Sequence, residues 1–97
     1  MEWVPIVMPD YFFPPHVYNR AVDGQMVLLN LQTEEYFGLD PVGTNIVTRL
    51  TEQSSESAIE DLLVDYQVDP QVLRTDIEEL VEKLMEAGLL VRSERSA

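Results

Sequence analysis

Apolar residues between positions 16 and 31 follow the pattern of two β-strands joined by a tight turn. Val, Leu and Tyr dominate this stretch, and Asp23-Gly24 interrupts it with the dipeptide that suits the positive φ angles of a type I′ turn. The second strand, residues 25–31, is apolar at consecutive positions, which predicts a central strand covered on both faces. Residues 35–39 then predict a short third strand at the edge of the sheet.

Two helical patterns follow the strands. Asp40-Pro41 is typical of a helix start, because Asp caps the first turn and Pro at the first helical position sacrifices no hydrogen bond. Residues 54–57 offer several N-caps for a second helix, and Ser57 with Glu60 has the spacing of a capping box. Apolar side chains recur at helical spacing in both segments: Val42, Ile46 and Leu50 in the first, and Ile59, Leu62, Leu63 and Tyr66 in the second.

A third, longer helix is predicted between Asp69-Pro70 and Gly88. Asp69-Pro70 repeats the cap-and-proline signal, and Gly88 suits the left-handed position that follows a helix end. The side chains expected to face inward are Leu73, Ile77, Leu80, Val81, Leu84 and Met85. Three short antiparallel strands followed by three helices, the last two joined by a tight turn, predict an α+β fold of the winged helix-turn-helix type.

The chain is expected to form one domain between two flanking segments, because 97 residues suffice for a single core. Residues 1–15 hold four of the six prolines, which predicts an extended arm with no element of its own. We expect the aromatic side chains of this arm to cover the domain's own sheet, and a partner-binding arm is the alternative. These side chains are Trp3, Tyr11, Phe12 and Phe13. Residues 16–91 would form the domain, and residues 92–97 a frayed polar tail.

Charge separates the classes of partner. The chain has 18 acidic and 6 basic residues and a formal net charge of -12. Because nucleic acid is bound through Lys and Arg at the phosphates, this charge argues against a nucleic-acid partner and favours a neutral or basic one. No stretch reaches the roughly 20 apolar residues of a membrane helix, and the N-terminus lacks the pattern of a signal peptide. We therefore expect a cytoplasmic protein with no membrane partner.

The sequence offers little for catalysis, metal binding or cofactor binding. There is no cysteine, and His16 is the only histidine, so a thiolate nucleophile and a histidine-based triad lack their residues. A metal site would need carboxylates alone, and neither an EF-hand loop nor a glycine-rich phosphate loop is present. We expect no enzyme activity, metal or cofactor. The acids of the third helix are interpreted as a solvated face: Glu78, Glu79, Glu82 and Glu86.

The third strand is the feature that points to a function. An edge strand has unpaired N–H and C=O groups, to which an extended peptide can add as a further strand. The third helix would form the wall beside it. Tyr36, Phe37 and Leu39 can equally be core residues, and alternation along a strand makes this true for one of its faces.

A set of motifs in fixed order resembles a known family. Residues 28–43 form an aromatic strand that leads through Leu39-Asp40-Pro41 into a helix, and the third helix ends in Ala87-Gly88-Leu89-Leu90. Together with residues 66–70 and 76–80, this pattern resembles the pyrroloquinoline quinone biosynthesis protein D (PqqD) family over residues 16–91. The resemblance implies a RiPP recognition element, a domain similar to a winged helix-turn-helix that binds the leader of a ribosomally synthesised precursor peptide instead of DNA.

The resemblance also implies where a leader would bind. It would add as a strand beside the third strand and lie against the third helix. The strand would contribute Glu34, Glu35, Tyr36, Phe37 and Gly38. The helix would contribute Asp76, Leu80, Lys83 and Leu84, and the opposite flank of the helix is the alternative, with Arg74, Val81 and Met85.

The chain's length and its pattern from residue 33 to 43 are most similar to the stand-alone leader-binding proteins of lasso peptide pathways. The implied partners are a precursor leader and a separate leader peptidase or other maturation enzyme, with the chain acting as a monomer or a swapped dimer. Leaders of this class often carry Tyr-x-x-Pro, the spacing of Tyr11-Phe12-Phe13-Pro14. One hypothesis is therefore that the arm can occupy the domain's own or a neighbour's groove and compete with the leader, and accidental spacing in a proline-rich arm is the favoured alternative.

Two other function classes fit the order of the elements. A winged-helix transcription regulator would present Arg and Lys from its third helix, yet residues 70–88 contain only Arg74 and Lys83 beside five acids. A non-catalytic scaffold subunit of a modifying enzyme is the other alternative. Binding of a leader in the absence of the enzyme would distinguish it from a recognition element.

Overall fold

The computed structural model describes residues 9–93. In chain order the elements are β1 (Tyr11–Phe12), β2 (Val17–Val22), β3 (Gln25–Asn30), β4 (Tyr36–Leu39), α1 (Pro41–Glu52), α2 (Ser55–Asp65), α3 (Pro70–Glu86) and β5 (Val91–Arg92). Strands β2, β3 and β4 form an antiparallel sheet with β3 in the middle. The predicted α+β order of a three-stranded sheet followed by three helices is therefore confirmed. Within these residues, no helix is long and apolar enough to cross a membrane.

The sheet has one buried and one open face. The β2–β3 hairpin turns at Asp23 and Gly24, whose φ angles of 52° and 77° are both positive, as a type I′ turn requires. Along β3 the side chains alternate: Met26 and Leu28 are buried, whereas Val27 is 43% exposed. The predicted turn is confirmed, but the prediction that β3 is covered on both faces is wrong. Within residues 9–93 no second layer covers the outer side of β3, so the apolar run reflects its central position in the sheet.

Asn30 organises the turn between β3 and β4. Its buried side chain accepts hydrogen bonds from the backbone N–H groups of Gln32 and Thr33, at 2.9 and 3.2 Å. Its Nδ2 donates to the carbonyl oxygen of Ala87 at 3.1 Å. Glu34 closes the turn with a φ of 63°, a conformation that side chains other than glycine rarely adopt. The start of β4 is thereby tied to the end of α3.

All three helices begin at side-chain caps. Asp40 and Asp69 cap α1 and α3, each followed by proline, as predicted. For α2 the cap is Ser54, whose Oγ accepts a hydrogen bond from the N–H of Ser57 at 3.3 Å. The predicted capping box of Ser57 with Glu60 is therefore wrong, because Ser57 already lies in the first turn of the helix.

Helix α3 ends at Gly88 as expected. Gly88 has a φ of 70°, its N–H donates to Met85, and the N–H of Leu89 donates to Leu84, the bonds of a Schellman motif. Of the side chains expected to face inward, Leu80 is only half-buried and Met85 is 38% exposed. The others are buried: Leu73, Ile77, Val81 and Leu84.

The core lies between the inner face of the sheet and the three helices. It consists of apolar side chains from nearly every element, and its fully buried members include Leu28, Val47, Leu50, Leu62, Leu84, Leu89 and Leu90. Thr44 is a buried polar residue of this region. Its Oγ1 accepts from the N–H of Met26 and donates to the carbonyl oxygen of Leu39, which joins α1 to the ends of β3 and β4.

The arm and the tail meet in a second, two-stranded sheet. Tyr11 pairs with Arg92, and Phe12 with Val91. The prediction that the arm forms no element is therefore wrong for these two residues, and Arg92 is part of a strand where a frayed tail was expected. A strand of two residues is too short to give a recognisable pattern in the sequence. Tyr11 packs near α1 and α3 and does not cover the three-stranded sheet. Trp3 lies outside the described residues.

Candidate functional site

Strand β4 has a free edge within the described residues. It pairs with β3 on one side only. The N–H of Asn30 donates to the carbonyl oxygen of Glu35 at 2.8 Å. Because ladder bonds alternate along an antiparallel pair, Phe37 directs its backbone groups towards Leu28 of β3. Tyr36 and Gly38 therefore direct their N–H and C=O groups away from the sheet, where an added strand could bond them.

A groove of about 370 Å³ runs beside this edge, between β4, the start of α1 and one flank of α3. Its apolar lining comes from Phe37, Leu39, Val42, Ile46 and Leu80. Leu80 is half-buried, so part of its side chain stays available to a ligand. The groove thus combines unpaired backbone groups with apolar pockets for alternate side chains, the two requirements for binding an extended peptide.

Long-range hydrogen bonds hold α3 against the sheet at one end of the groove. Besides the bond from Asn30 to Ala87, Nε2 of His16 lies 3.1 Å from the carbonyl oxygen of Gly88. These side chains bind carbonyls that the helix end leaves without partners. A Cβ atom on Gly88 would lie 3.0 Å from Nδ2 of Asn30, a tight contact that would push the amide away, and the φ of 70° favours glycine as well. The position of the groove wall therefore depends on contacts at the helix terminus.

Charges are distributed unevenly along the groove. Asp40 and Asp76 line it together with Glu79, and Lys83 is its one basic lining residue. Asp76 and Lys83 lie two turns apart, about 10 Å along α3. Because the C-terminal end of α3 is tied to the start of β4, Lys83 lies towards that end and Asp76 towards α1. The lining as a whole is acidic.

Most of the predicted site residues meet at this groove. Phe37, Gly38, Asp76, Leu80 and Lys83 line it. Leu84 is fully buried and lies beneath the surface, so it supports the wall without offering a contact. The remaining predictions lie next to the groove and do not line it: Glu34 and Glu35 are exposed in the turn before it, and Tyr36 is 76% exposed on the open face of the sheet.

The alternative flank of α3 faces a different surface. Val81 and Met85 lie beside the β1–β5 ribbon, together with Tyr11 and Arg92, and Arg74 lines an adjoining depression. Tyr11 receives a hydrogen bond from Arg92 at 3.0 Å and is held there. In this structure Tyr11 and Phe12 therefore lie outside the groove of their own domain, and α3 separates the two surfaces. Competition of the arm with a leader, in its own or a neighbour's groove, stays a hypothesis.

Sequence reasoning missed several lining residues. They come from the start of α1 and from α3: Asp40, Val42, Gly43, Ile46 and Glu79, with Leu39 at the end of β4. The Asp40-Pro41 signal located the start of α1 directly after the edge strand, so the closeness of this turn to the groove was available in the sequence. The solvated-face interpretation remains consistent with Glu78, Glu82 and Glu86, which are exposed. In residues 9–93 no group of three His, Cys, Asp or Glu side chains could hold a metal ion.

Comparisons with known proteins agree with this architecture. The family model described as "Coenzyme PQQ synthesis protein D (PqqD)" matches residues 25–90. Among solved structures, TbiB1 in complex with the TbiA(beta) leader peptide is similar, with a TM-score of 0.78 and 31% identity over 86% of this chain and 98% of that one.

A lasso peptide synthetase B1 complexed with the leader peptide is also similar, with a TM-score of 0.77 and 29% identity over 84% of this chain and 98% of the other. No curated protein matched the chain. Because the family model covers more than half of the sequence, including β3, β4 and all three helices, the chain belongs to the Coenzyme PQQ synthesis protein D (PqqD) family.

Proposed function

We propose that this chain is a RiPP recognition element that binds the leader of a ribosomally synthesised precursor peptide and presents it to a separate maturation enzyme. The observation that carries this function is the free edge of β4 beside a groove lined by apolar side chains and carboxylates, in a chain similar to two proteins that were solved with leader peptides. The leader would add to β4 as a fourth strand.

The alternation of β4 defines what each part of the leader contacts. Backbone groups of Tyr36 and Gly38 would bond the leader main chain. Leader side chains opposite Phe37 would enter the groove and meet Leu80 of α3. Residues on either side of them would point to the open face of the sheet. Main-chain bonds would thus supply affinity for many sequences, and the groove would select the residues that enter it.

The chain would act by concentrating its ligand, with no bond made or broken by its own residues. Holding a leader and an enzyme together raises the effective concentration of the precursor at the enzyme. We place this activity in the cytoplasm and assign no metal or cofactor to it. The similarity to B1 proteins favours a lasso peptide pathway, in which the enzyme would be a leader peptidase.

The charge of α3 disfavours the transcription-regulator alternative. The exposed residues of this helix include Arg74 and Lys83 but five acids: Asp76, Glu78, Glu79, Glu82 and Glu86. Lys83 lines the groove and Arg74 lies on the other flank, so the two cations do not form a single basic surface. A helix of this charge would repel the phosphates of a DNA groove.

The test uses fluorescence polarisation with labelled TbiA(beta) leader and with leaders from precursor genes near this one. Gly38→Pro removes one outward N–H while leaving the bonds to β3 in place, as proline on a free edge does. We expect this variant to weaken binding at least tenfold. Gly38→Ala is the matched control, because a Cβ atom there meets nothing within 4 Å and the N–H remains.

Leu80→Asp tests the groove by placing a further charge in its apolar part. Saturable binding by the unmodified chain, lost in Leu80→Asp and Gly38→Pro but kept in Gly38→Ala and absent for duplex DNA, would support the proposal. Equal affinity of Gly38→Pro and Gly38→Ala would refute strand addition. Failure to bind any leader, with tight binding of duplex DNA, would instead favour the regulator.

A further inference from the structure

Within residues 9–93, the outer side of the three-stranded sheet carries exposed apolar side chains in adjoining rows. Residues opposite each other in antiparallel strands share a face, which places Tyr18, Leu29 and Tyr36 in one row across the sheet. Val27 lies in the next row, between Arg20 and Gly38. Tyr36 is 76% exposed, Tyr18 54% and Val27 43%. We name these six residues the outer face.

Such a surface differs from the scattered apolar residues of ordinary protein exteriors. Single exposed hydrophobic side chains are common, but contiguous rows rimmed by polar groups mark interaction sites. Tyrosine and arginine are also the residue types enriched among those that dominate binding energy at protein interfaces. Gly38 adds a position without a side chain beside Val27, and nothing lies within 4 Å of where its Cβ would be. A partner side chain could fill this space.

Arg20 gives the outer face its charge. It is the one charged residue in strands β2, β3 and β4, and it makes no ion pair within the described residues. The other basic residues of the described chain lie on α1, α3 and β5: Arg49, Arg74, Lys83 and Arg92. A partner that approaches this face would therefore meet a positive charge surrounded by apolar side chains, and a carboxylate on the partner would complement it.

The outer face continues into the proposed leader site. Tyr36 and Gly38 belong to this face, and their free backbone N–H and C=O groups point to the edge where a leader would add. A leader strand would place every second side chain on the same face, next to Tyr36. A protein docked there would touch the sheet and the bound leader together.

We propose that the outer face is the docking surface for the maturation enzyme, which would present an apolar surface with a carboxylate opposite Arg20. This inference rests on the proposed function, because the enzyme is the partner that must reach a leader held on β4. The groove between β4 and α3 would bind the inward side chains of the leader, while the outer face and the outward side chains would form a joint surface for the enzyme.

The experiment uses the full chain and the leader peptidase encoded with its nearest precursor gene. The variants are Tyr18→Glu and Arg20→Glu, which alter exposed residues of β2, away from the groove. The controls make matched changes on other exposed surfaces: Val64→Glu on α2 and Arg74→Glu on α3. Calorimetry measures enzyme binding with and without leader, fluorescence polarisation measures leader binding, and a cleavage assay measures the rate at subsaturating protein.

We expect Tyr18→Glu and Arg20→Glu to weaken enzyme binding and to slow cleavage at least tenfold, with leader affinity within twofold of the unmodified chain. Val64→Glu and Arg74→Glu should behave like the unmodified chain. Cleavage and enzyme binding unchanged in the two outer-face variants would overturn the inference, and so would an unmodified chain that does not bind the enzyme.

Sedimentation of the free chain distinguishes a second copy from the enzyme as the occupant. A dimer that Arg20→Glu dissociates while enzyme binding is kept would also overturn the inference. If the unmodified chain binds no leader, the proposed function is contradicted. Calorimetry of enzyme binding without leader still tests the outer face in that case, so the two failures are distinguishable.

Discussion

Asn30 connects parts of the chain that lie far apart in the sequence. Both polar atoms of its side-chain amide are used: the oxygen accepts hydrogen bonds from two backbone N–H groups of the turn, and the nitrogen donates one to the carbonyl oxygen of Ala87 at the end of α3. A carboxylate could replace the acceptor but not the donor. The geometry of the groove wall therefore depends on an amide at this position.

We expect Asn30→Asp to lower the free energy of unfolding by about 1–3 kcal/mol, because it leaves the half-buried carbonyl of Ala87 without its donor and places a charge against it. Urea denaturation followed by circular dichroism measures the change. Asn19→Asp is the control, since Asn19 is exposed on β2. Equal stability of the two variants would show that the bond from Asn30 to Ala87 contributes nothing.

Glu34 is one of two residues other than glycine that have a positive φ within the described chain, the other being Asp23 of the hairpin turn. The φ of 63° at Glu34 lies in the left-handed region, where a side chain costs about 1–2 kcal/mol relative to glycine. We expect Glu34→Gly to raise the free energy of unfolding, by about 0.5–1 kcal/mol once the greater freedom of glycine in the unfolded chain is subtracted. Urea denaturation tests this, with Glu35→Gly as the control. A destabilised Glu34→Gly would mean that its side chain makes a contact worth more than the strain.

At the scale of elements, the β1–β5 ribbon shows how a short segment gains structure from its surroundings. Two residues cannot form a stable strand alone. Tyr11 is buried beside α3, receives a hydrogen bond from Arg92 and lies 5.5 Å from its guanidinium carbon, measured to the ring centroid. The N–H of Ser93 also donates to the carbonyl oxygen of Asp10. These contacts join the two ends of the described chain.

Tyr11→Ala should destabilise the protein by about 2–4 kcal/mol, since it removes a buried aromatic ring. Phe12→Ala, on the exposed side of the same strand, should cost less than about 1 kcal/mol. Thermal unfolding compares the two. Because Tyr11 lies on the flank of α3 away from the groove, leader affinity of the folded Tyr11→Ala variant should stay unchanged. Tighter leader binding in this variant would support the hypothesis that the arm competes with the leader for the groove.

At the scale of the whole molecule, the excess of acidic residues extends into the groove and should affect the affinity for charged leaders. Asp40, Asp76 and Glu79 outnumber Lys83 in its lining. A leader that carries Lys or Arg near α1 should therefore bind more tightly than the same leader with a neutral residue there, and salt should screen the difference because these side chains are partly solvated.

We expect a lysine-substituted leader to gain a few-fold in affinity at about 20 mM salt and to lose most of that gain at about 500 mM, where the Debye length falls to a few ångströms. The matched variant Asp76→Lys should remove or reverse the preference. Polarisation titrations at both salt concentrations measure it. A preference that does not depend on salt would assign the gain to packing instead of charge.

The local signals in the sequence were sufficient for most elements. Asp23-Gly24 predicted the hairpin turn, and Asp40-Pro41 predicted the start of α1. Asp69-Pro70 predicted the start of α3, and Gly88 predicted its end. Each is a preference of the backbone or of the nearest side chain, so it acts within a few residues and is readable without the fold. The residues carried over from the family pattern likewise included five that line the groove.

What the sequence alone could not decide were contacts between distant residues. Three features depend on how the elements pack: the cover of β3, the pairing of Tyr11 with Arg92, and the flank of α3 that meets β4. The same apolar pattern is compatible with several such arrangements. Spacing along a strand or helix determines which side chains share a face, whereas only tertiary packing determines what that face meets. The order and type of the elements were therefore determined by the sequence, and the groove and the open outer face by the tertiary structure.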